Sequence, residues 1–172
     1  MTDAELVREF IAARDERRTH RPPSETRRLS LAEAYDLQDR LREALVARGE
    51  RVAGWKVGFT SKAAQAAFQA TEPAGAFLLA SGVLPTGAEV PLARFTRLVL
   101  EAEVAFVMRH DLAGPGVTLA QALTAVEGAL PALELVDFRY SGKPAATDVV
   151  AEGVYASAVV LGAALVPVAH VD

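Results

Sequence analysis

Elimination by residue type leaves carboxylates and three lysines foremost among the residues that could do chemistry in this chain of 172 residues. The sequence has no cysteine. That excludes a disulfide framework, a cysteine nucleophile, a thiolate zinc site and a cysteine-ligated iron–sulfur cluster. Its three histidines, His20, His110 and His170, are scattered and none has HExxH spacing, so a histidine-rich metal site is excluded as well. A metal must then sit on carboxylates, and a base or nucleophile must come from Ser, Thr, Lys, Asp, Glu or Tyr. Of 18 basic residues only three are lysines (Lys56, Lys62 and Lys143), which narrows the candidates for a lysine base.

The carboxylates of interest lie in apolar runs. In Val99-Leu100-Glu101-Ala102-Glu103-Val104-Ala105-Phe106-Val107, residues two apart share a strand face, so Glu101 and Glu103 stand beside Val99, Ala105 and Val107. The opposite face carries Leu98, Leu100, Ala102, Val104 and Phe106, so both faces read as buried. Burying an unpaired carboxylate costs several kcal/mol and two adjacent ones repel, so an arginine, a shared proton or a cation must compensate. Glu134 has a matching setting in Ala132-Leu133-Glu134-Leu135-Val136. Three carboxylates on two hydrophobic strands suit a hard cation such as Mg²⁺ or Mn²⁺, which takes oxygen ligands and keeps positions open for water or substrate. The alternative is that these glutamates pair with arginines from the helices or lie on a solvated sheet face.

The lysine segment is Gly54-Trp55-Lys56-Val57-Gly58-Phe59-Thr60-Ser61-Lys62. Lys56 falls mid-strand, with glycines on either side that permit close backbone approach. A desolvated lysine can act as a base near neutral pH, whereas a surface lysine would simply extend its head group to water. Lys62 follows Ser61 at a helix start and reads as exposed.

The elements that must position these groups are helices first and strands afterwards. Thr2-Asp3-Ala4-Glu5 has capping-box spacing, with a helix through Leu6, Phe10 and Ala13 that ends near Thr19 ahead of Pro22-Pro23. Ser30-Leu31-Ala32-Glu33 opens a second helix, with Ala34, Leu37, Leu41 and Leu45 as its stripe. The arginines around the link (Arg14, Arg17, Arg18, Arg21, Arg27 and Arg28) read as a solvated helix end and loop, with anion binding or nucleic acid as alternatives. Strands follow at Val52–Phe59, Ala76–Leu79, Glu89–Pro91, Leu98–Met108, Ala129–Phe138 and Val154–Leu161. Helices are expected from Ser61 to Phe68 and from Thr118 to near Gly128. This order favours an α+β fold, with an N-terminal helical region over 1–51 and a mixed, β-rich core over 52–172 that carries the candidate residues.

Charge narrows the partners. Residues 1–51 balance at 11 basic and 11 acidic residues, and the remainder supplies the whole net charge of −4. A mildly acidic chain without a basic surplus is a poor nucleic-acid binder. The longest uncharged stretch, Gly153 to Ala169, falls short of a membrane span, and the N-terminus lacks a signal-peptide apolar core, so a cytoplasmic protein is expected.

Taken together, four stretches resemble the 2-keto-4-pentenoate hydratase/4-oxalocrotonate decarboxylase family of the fumarylacetoacetate hydrolase superfamily. They are Ala34-Tyr35-Asp36-Leu37-Gln38, the Gly54–Lys62 segment, Glu101-Ala102-Glu103-Val104-Ala105-Phe106 and Pro131-Ala132-Leu133-Glu134-Leu135-Val136-Asp137. The resemblance runs from about Leu31 to Gly162. It implies a rolled, mixed β-sheet core, Mg²⁺ or Mn²⁺ on Glu101, Glu103 and Glu134, and a catalytic Lys56. It also implies a 2-hydroxy-2,4-dienoate or 2-oxo acid substrate from aromatic-compound breakdown, and a homo-oligomer, with assembly with a related decarboxylase or hydratase subunit as the alternative. No substrate-binding residue is assigned.

Three departures from the family pattern bear on the reaction. Ala80-Ser81 stands where hydratases of the family commonly carry an acidic residue. Glu152-Gly153-Val154-Tyr155 replaces an Asp-Asn-Ala-Ser stretch. Family members also continue with more sheet past the point matching Asp172, so the C-terminal part of the fold is expected to be missing here, the chain being a fragment or having its open edge covered by a partner. The expected activity is that of a metal-dependent hydratase. A 4-oxalocrotonate-type decarboxylase, an acylpyruvate-type C–C hydrolase and a non-catalytic accessory subunit are the alternatives.

Overall fold

The computed structural model describes residues 1–168; His170 lies outside them. Helix α1 (Asp3–Glu16) opens on the Thr2 capping box, and α2 (Leu31–Ala47) on that of Ser30. Helix α1 stops short of Thr19, because Arg17 takes a left-handed conformation and closes the last turn. Strand β1 (Val52–Gly58), helix α3 (Lys62–Phe68), strand β2 (Ala74–Leu79), the short strand β3 (Val83–Pro85) and the long strand β4 (Leu98–Met108) follow. Helix α4 (Leu119–Ala125) then leads directly into β5 (Val126–Asp137). The chain continues through α5 (Ala146–Ala151), β6 (Ala158–Leu161) and β7 (Val166–Pro167).

The strands form two sheets. Strands β1 and β2 make an antiparallel pair. The second sheet has the order β3-β6-β5-β4, with β7 added beside β5. Among the described residues, the β3–β6 pairing in it is parallel and the others are antiparallel. This is an α+β architecture of helices against mixed sheet. The apolar stripes of α1 and α2 (Leu6, Phe10, Leu37, Leu41 and Leu45) bury against Phe77 of β2, Val136 of β5 and Val149 and Val150 of α5. Burying side chains of this size contributes about 1.5–3 kcal/mol each. A smaller cluster of Phe95, Leu135 and Ala158 holds the start of β4 near β5 and β6.

Besides the end of α1, four sequence expectations are corrected. Residues 89–91 form no strand, and the extended piece is β3, upstream of them. Helix α4 ends before Gly128, because Val126 is already extended and pairs with Met108. The last long strand shrinks to Ala158–Leu161, since residues 153–155 form a turn. Strand β4 is not buried on both faces: Leu100, Val104 and Phe106 are each about 60% exposed. It is the edge strand of its sheet, and none of the described elements covers that side. Alternation along a strand reports which residues share a face, not whether another layer lies on it.

Candidate metal centre

Register builds the acidic cluster. Strand β4 pairs antiparallel with β5 so that Glu101 lies directly opposite Glu134, and Glu103 follows two residues on, opposite Ala132. Directly paired residues project to the same side of a sheet, as do residues two apart. All three carboxylates therefore converge, and one oxygen from each lies within 4.8 Å of the other two. Glu134 is buried at 4% exposure, whereas Glu103 faces solvent. The cluster is thus anchored inside the sheet and opens outward.

Lys56 arrives from the other sheet. Along β1 the half-buried positions are Val52, Gly54, Lys56 and Gly58, while Trp55 and Val57 point outward at 64% and 56% exposure. The strand thus turns its lysine inward and its large apolar residues outward, the reverse of ordinary packing. The Lys56 side chain is 9% exposed, and its Nζ lies 2.8 Å from Glu134 Oε2. It also donates to the Val154 carbonyl at 3.3 Å. Lys56 is a buried, ion-paired lysine rather than a surface one. Gly58 is needed next to it, because a Cβ there would meet Val154 Cγ1 at 2.5 Å. Lys62 instead donates to Gln65.

The electrostatics are unbalanced. Burial raises the Glu134 carboxyl above the usual range; Lys56 opposes that shift and the Glu101 and Glu103 charges reinforce it. Among the described residues no arginine ion-pairs with any of the three glutamates. Lys56 is the cation that reaches the cluster. The second oxygen of Glu134, Oε1, is buried with no hydrogen-bond partner. An orphaned carboxylate oxygen beside two further carboxylates is a donor set that fits a hard divalent cation.

The sequence reading missed a second buried ionic group. Arg139 pairs with Glu152 and, at 3.3 Å, with Asp137. Asp137 also accepts from the Thr96 and Arg97 backbone amides and fixes the start of β4. Arg14, read as part of a solvated link, reaches inward instead and donates to the Glu152 and Ala156 carbonyls. Between those carbonyls Gly153, Val154 and Tyr155 all have positive φ, at 86°, 50° and 57°. Left-handed backbone costs a non-glycine residue on the order of 1–3 kcal/mol. The one available signal was Glu152, a carboxylate between the apolar run Val149-Val150-Ala151 and Val154.

No family model matches the chain. The fold is shared with the 4-oxalocrotonate decarboxylase of Pseudomonas putida G7, solved in complex with magnesium and adipate. It superposes with a TM-score of 0.92 at 27% identity, over 99% of this chain and 65% of that one. A 2-hydroxypent-2,4-dienoate hydratase of Pseudomonas putida is 36% identical over 146 residues, 84% of this chain and 66% of the relative. A 4-oxalocrotonate decarboxylase of Pseudomonas sp. (strain CF600) is 33% identical over 145 residues, 84% of this chain and 55% of the relative. The chain belongs to the 2-keto-4-pentenoate hydratase/4-oxalocrotonate decarboxylase family. It spans between half and two thirds of the length of these relatives. No helix among the described residues is long and apolar enough to cross a membrane.

Proposed function

We propose that the protein is a divalent-metal-dependent lyase of this family, a hydratase that adds water to a substrate supplied as a 2-hydroxy-2,4-dienoate or its 2-oxo-4-enoate tautomer. One observation carries the reading: Glu101, Glu103 and Glu134 converge beside a buried Lys56 that touches Glu134. The three glutamates would hold Mg²⁺ or Mn²⁺, for which a set of carboxylate oxygens with positions left open is suited. Bound there, the cation supplies Lewis-acid stabilisation of the negative charge that develops on the substrate's 2-oxygen. Lys56 moves protons as the 2-hydroxydienoate tautomerises to the 2-oxo form. Its burial and its contact with Glu134 keep it aimed at one place. Protonation at C5 gives the 2-oxo-3-enoate, whose double bond is conjugated to the 2-oxo group, and water then adds at C4 with a proton going to C3.

The relatives support the substrate class, since their names include both a hydratase and decarboxylases. Decarboxylation of a 4-oxalocrotonate-type acid is the second reading, because it uses the same charge stabilisation. A C–C hydrolase acting on an acylpyruvate is a third within the superfamily. Ala80-Ser81 and the altered 152–155 stretch favour a non-catalytic accessory subunit as the alternative outside catalysis. A homo-oligomer in the cytoplasm completes the proposal.

Titration with Mn²⁺, followed by electron paramagnetic resonance, tests the metal; binding that weakens in Glu103→Gln supports it, and no binding rejects it. Absorbance decay of 2-hydroxypentadienoate tests the reaction. A protein that binds Mn²⁺ without turnover of this substrate or of 4-oxalocrotonate is an accessory subunit or a part that needs the rest of the fold for turnover.

A further inference from the structure

We propose that Arg14, on the first helix, is a positioning residue for Lys56 and acts through the left-handed turn at residues 153–155; the inference rests on the role given to Lys56 above. The turn presents the Val154 carbonyl to Lys56 Nζ, 3.3 Å away, while Val154 Cγ1 closes over Gly58 two residues along the same strand. Val154 therefore touches the lysine strand twice, once through its carbonyl and once through its side chain.

The turn is not one its sequence favours. Val154 is β-branched and sits at φ 50° between Gly153 at 86° and Tyr155 at 57°. Such a conformation persists only where its surroundings over-determine it. Arg14 does this from outside: Nη1 donates to the Ala156 carbonyl at 3.3 Å and Nη2 to the Glu152 carbonyl, so one planar guanidinium grips both ends of the turn. Its Nε is buried and has no partner, so these two carbonyls account for its hydrogen bonds. Within the turn Val154 N donates to Val149 O at 2.8 Å and Ala156 N to Gly153 O at 2.9 Å. The Tyr155 ring rests on Phe138 and Tyr140. The fork geometry, not the charge alone, spans the two ends.

The test compares Arg14→Met and Arg14→Lys in the full chain, reading the Lys56 ammonium cross-peak and its NOE to the Val154 Hα in metal-free protein, with Mn²⁺ affinity and kcat and KM measured alongside. Both variants are expected to lose the Lys56–Val154 NOE and to lower kcat by about 10-fold with KM unchanged, a misplacement effect on a proton-transfer group. Mn²⁺ affinity is expected to stay within about 2-fold, because Arg14 touches none of the three glutamates. Adding Val154→Gly to Arg14→Lys removes the backbone strain and is expected to restore the NOE. An NOE retained in Arg14→Lys shows that charge suffices and overturns the proposal; so does an NOE lost together with Mn²⁺ binding, or one that Val154→Gly fails to restore. Should Arg14→Met not fold, Arg14→Lys decides alone. A wild-type chain that binds no Mn²⁺ rejects the proposed function, while the NOE still decides the role of Arg14.

Discussion

Two clusters of buried charge meet at the 153–155 turn, and their charges are matched differently. Arg139 lies between Asp137 and Glu152 with Arg14 close by, and cations answer anions inside a closed core. Around Glu134, three carboxylates face one ammonium, and one side opens to solvent. A closed, compensated group holds a fold together, because removing either partner leaves a bare charge in low dielectric. An open, uncompensated one keeps the capacity to take up a further cation. Compensation distinguishes the two clusters where burial does not, since Glu134 and Glu152 are both buried.

Breaking the closed cluster has the largest expected effect. Arg139→Met removes the guanidinium that pairs with both Glu152 and Asp137 and should cost about 3–5 kcal/mol, read from urea unfolding. In the open cluster, Glu134→Gln should weaken Mn²⁺ binding by about 100-fold in a titration, with a far smaller stability change than Arg139→Met. Acid sharpens the contrast. Burial pushes the Glu152 carboxyl up, but Arg139 and the nearby His20 and Arg14 outweigh it and hold it at about 2, below its ordinary 4.5. A carboxyl depressed on folding contributes stability that is present above its unfolded value and is lost as pH falls through its folded value. Urea midpoints should therefore drop as pH falls from about 4.5 to about 2, and this share of the drop should vanish in Glu152→Gln. The smallest effect belongs to the exposed rim, where Glu103→Gln should change stability by less than about 0.5 kcal/mol in the same urea assay.

Local signals carried the helices and the acidic register. Side chains of Thr2, Ser30, Ser61 and Thr118 cap the helices that their spacing predicts. The two-residue spacing of Glu101 and Glu103 gave a shared face, and β5 brought Glu134 to it. The inward turn of Lys56 was only half visible, because a lysine between Trp55 and Val57 reads equally well as a surface residue until the other sheet is in place. The exposure of β4 and the turn at 153–155 were not legible at all. Cover over a strand is a tertiary property, and Val154-Tyr155 favours strand by local preference, a preference that contacts from α1 and β1 override. Arg14 was misread for the same reason: its partners lie more than 130 residues away.

That distance bears on the order of assembly. Helix α1 can form as soon as it is made, since its cap and stripe are local, but its grip on Glu152 and Ala156 spans 138 and 142 residues. Loop closure over such a span must precede the reward of those contacts. During synthesis the lysine strand therefore exists for most of the chain's length without its restraint. The geometry around Lys56 is completed only when the first helix and the turn before β6 finally meet.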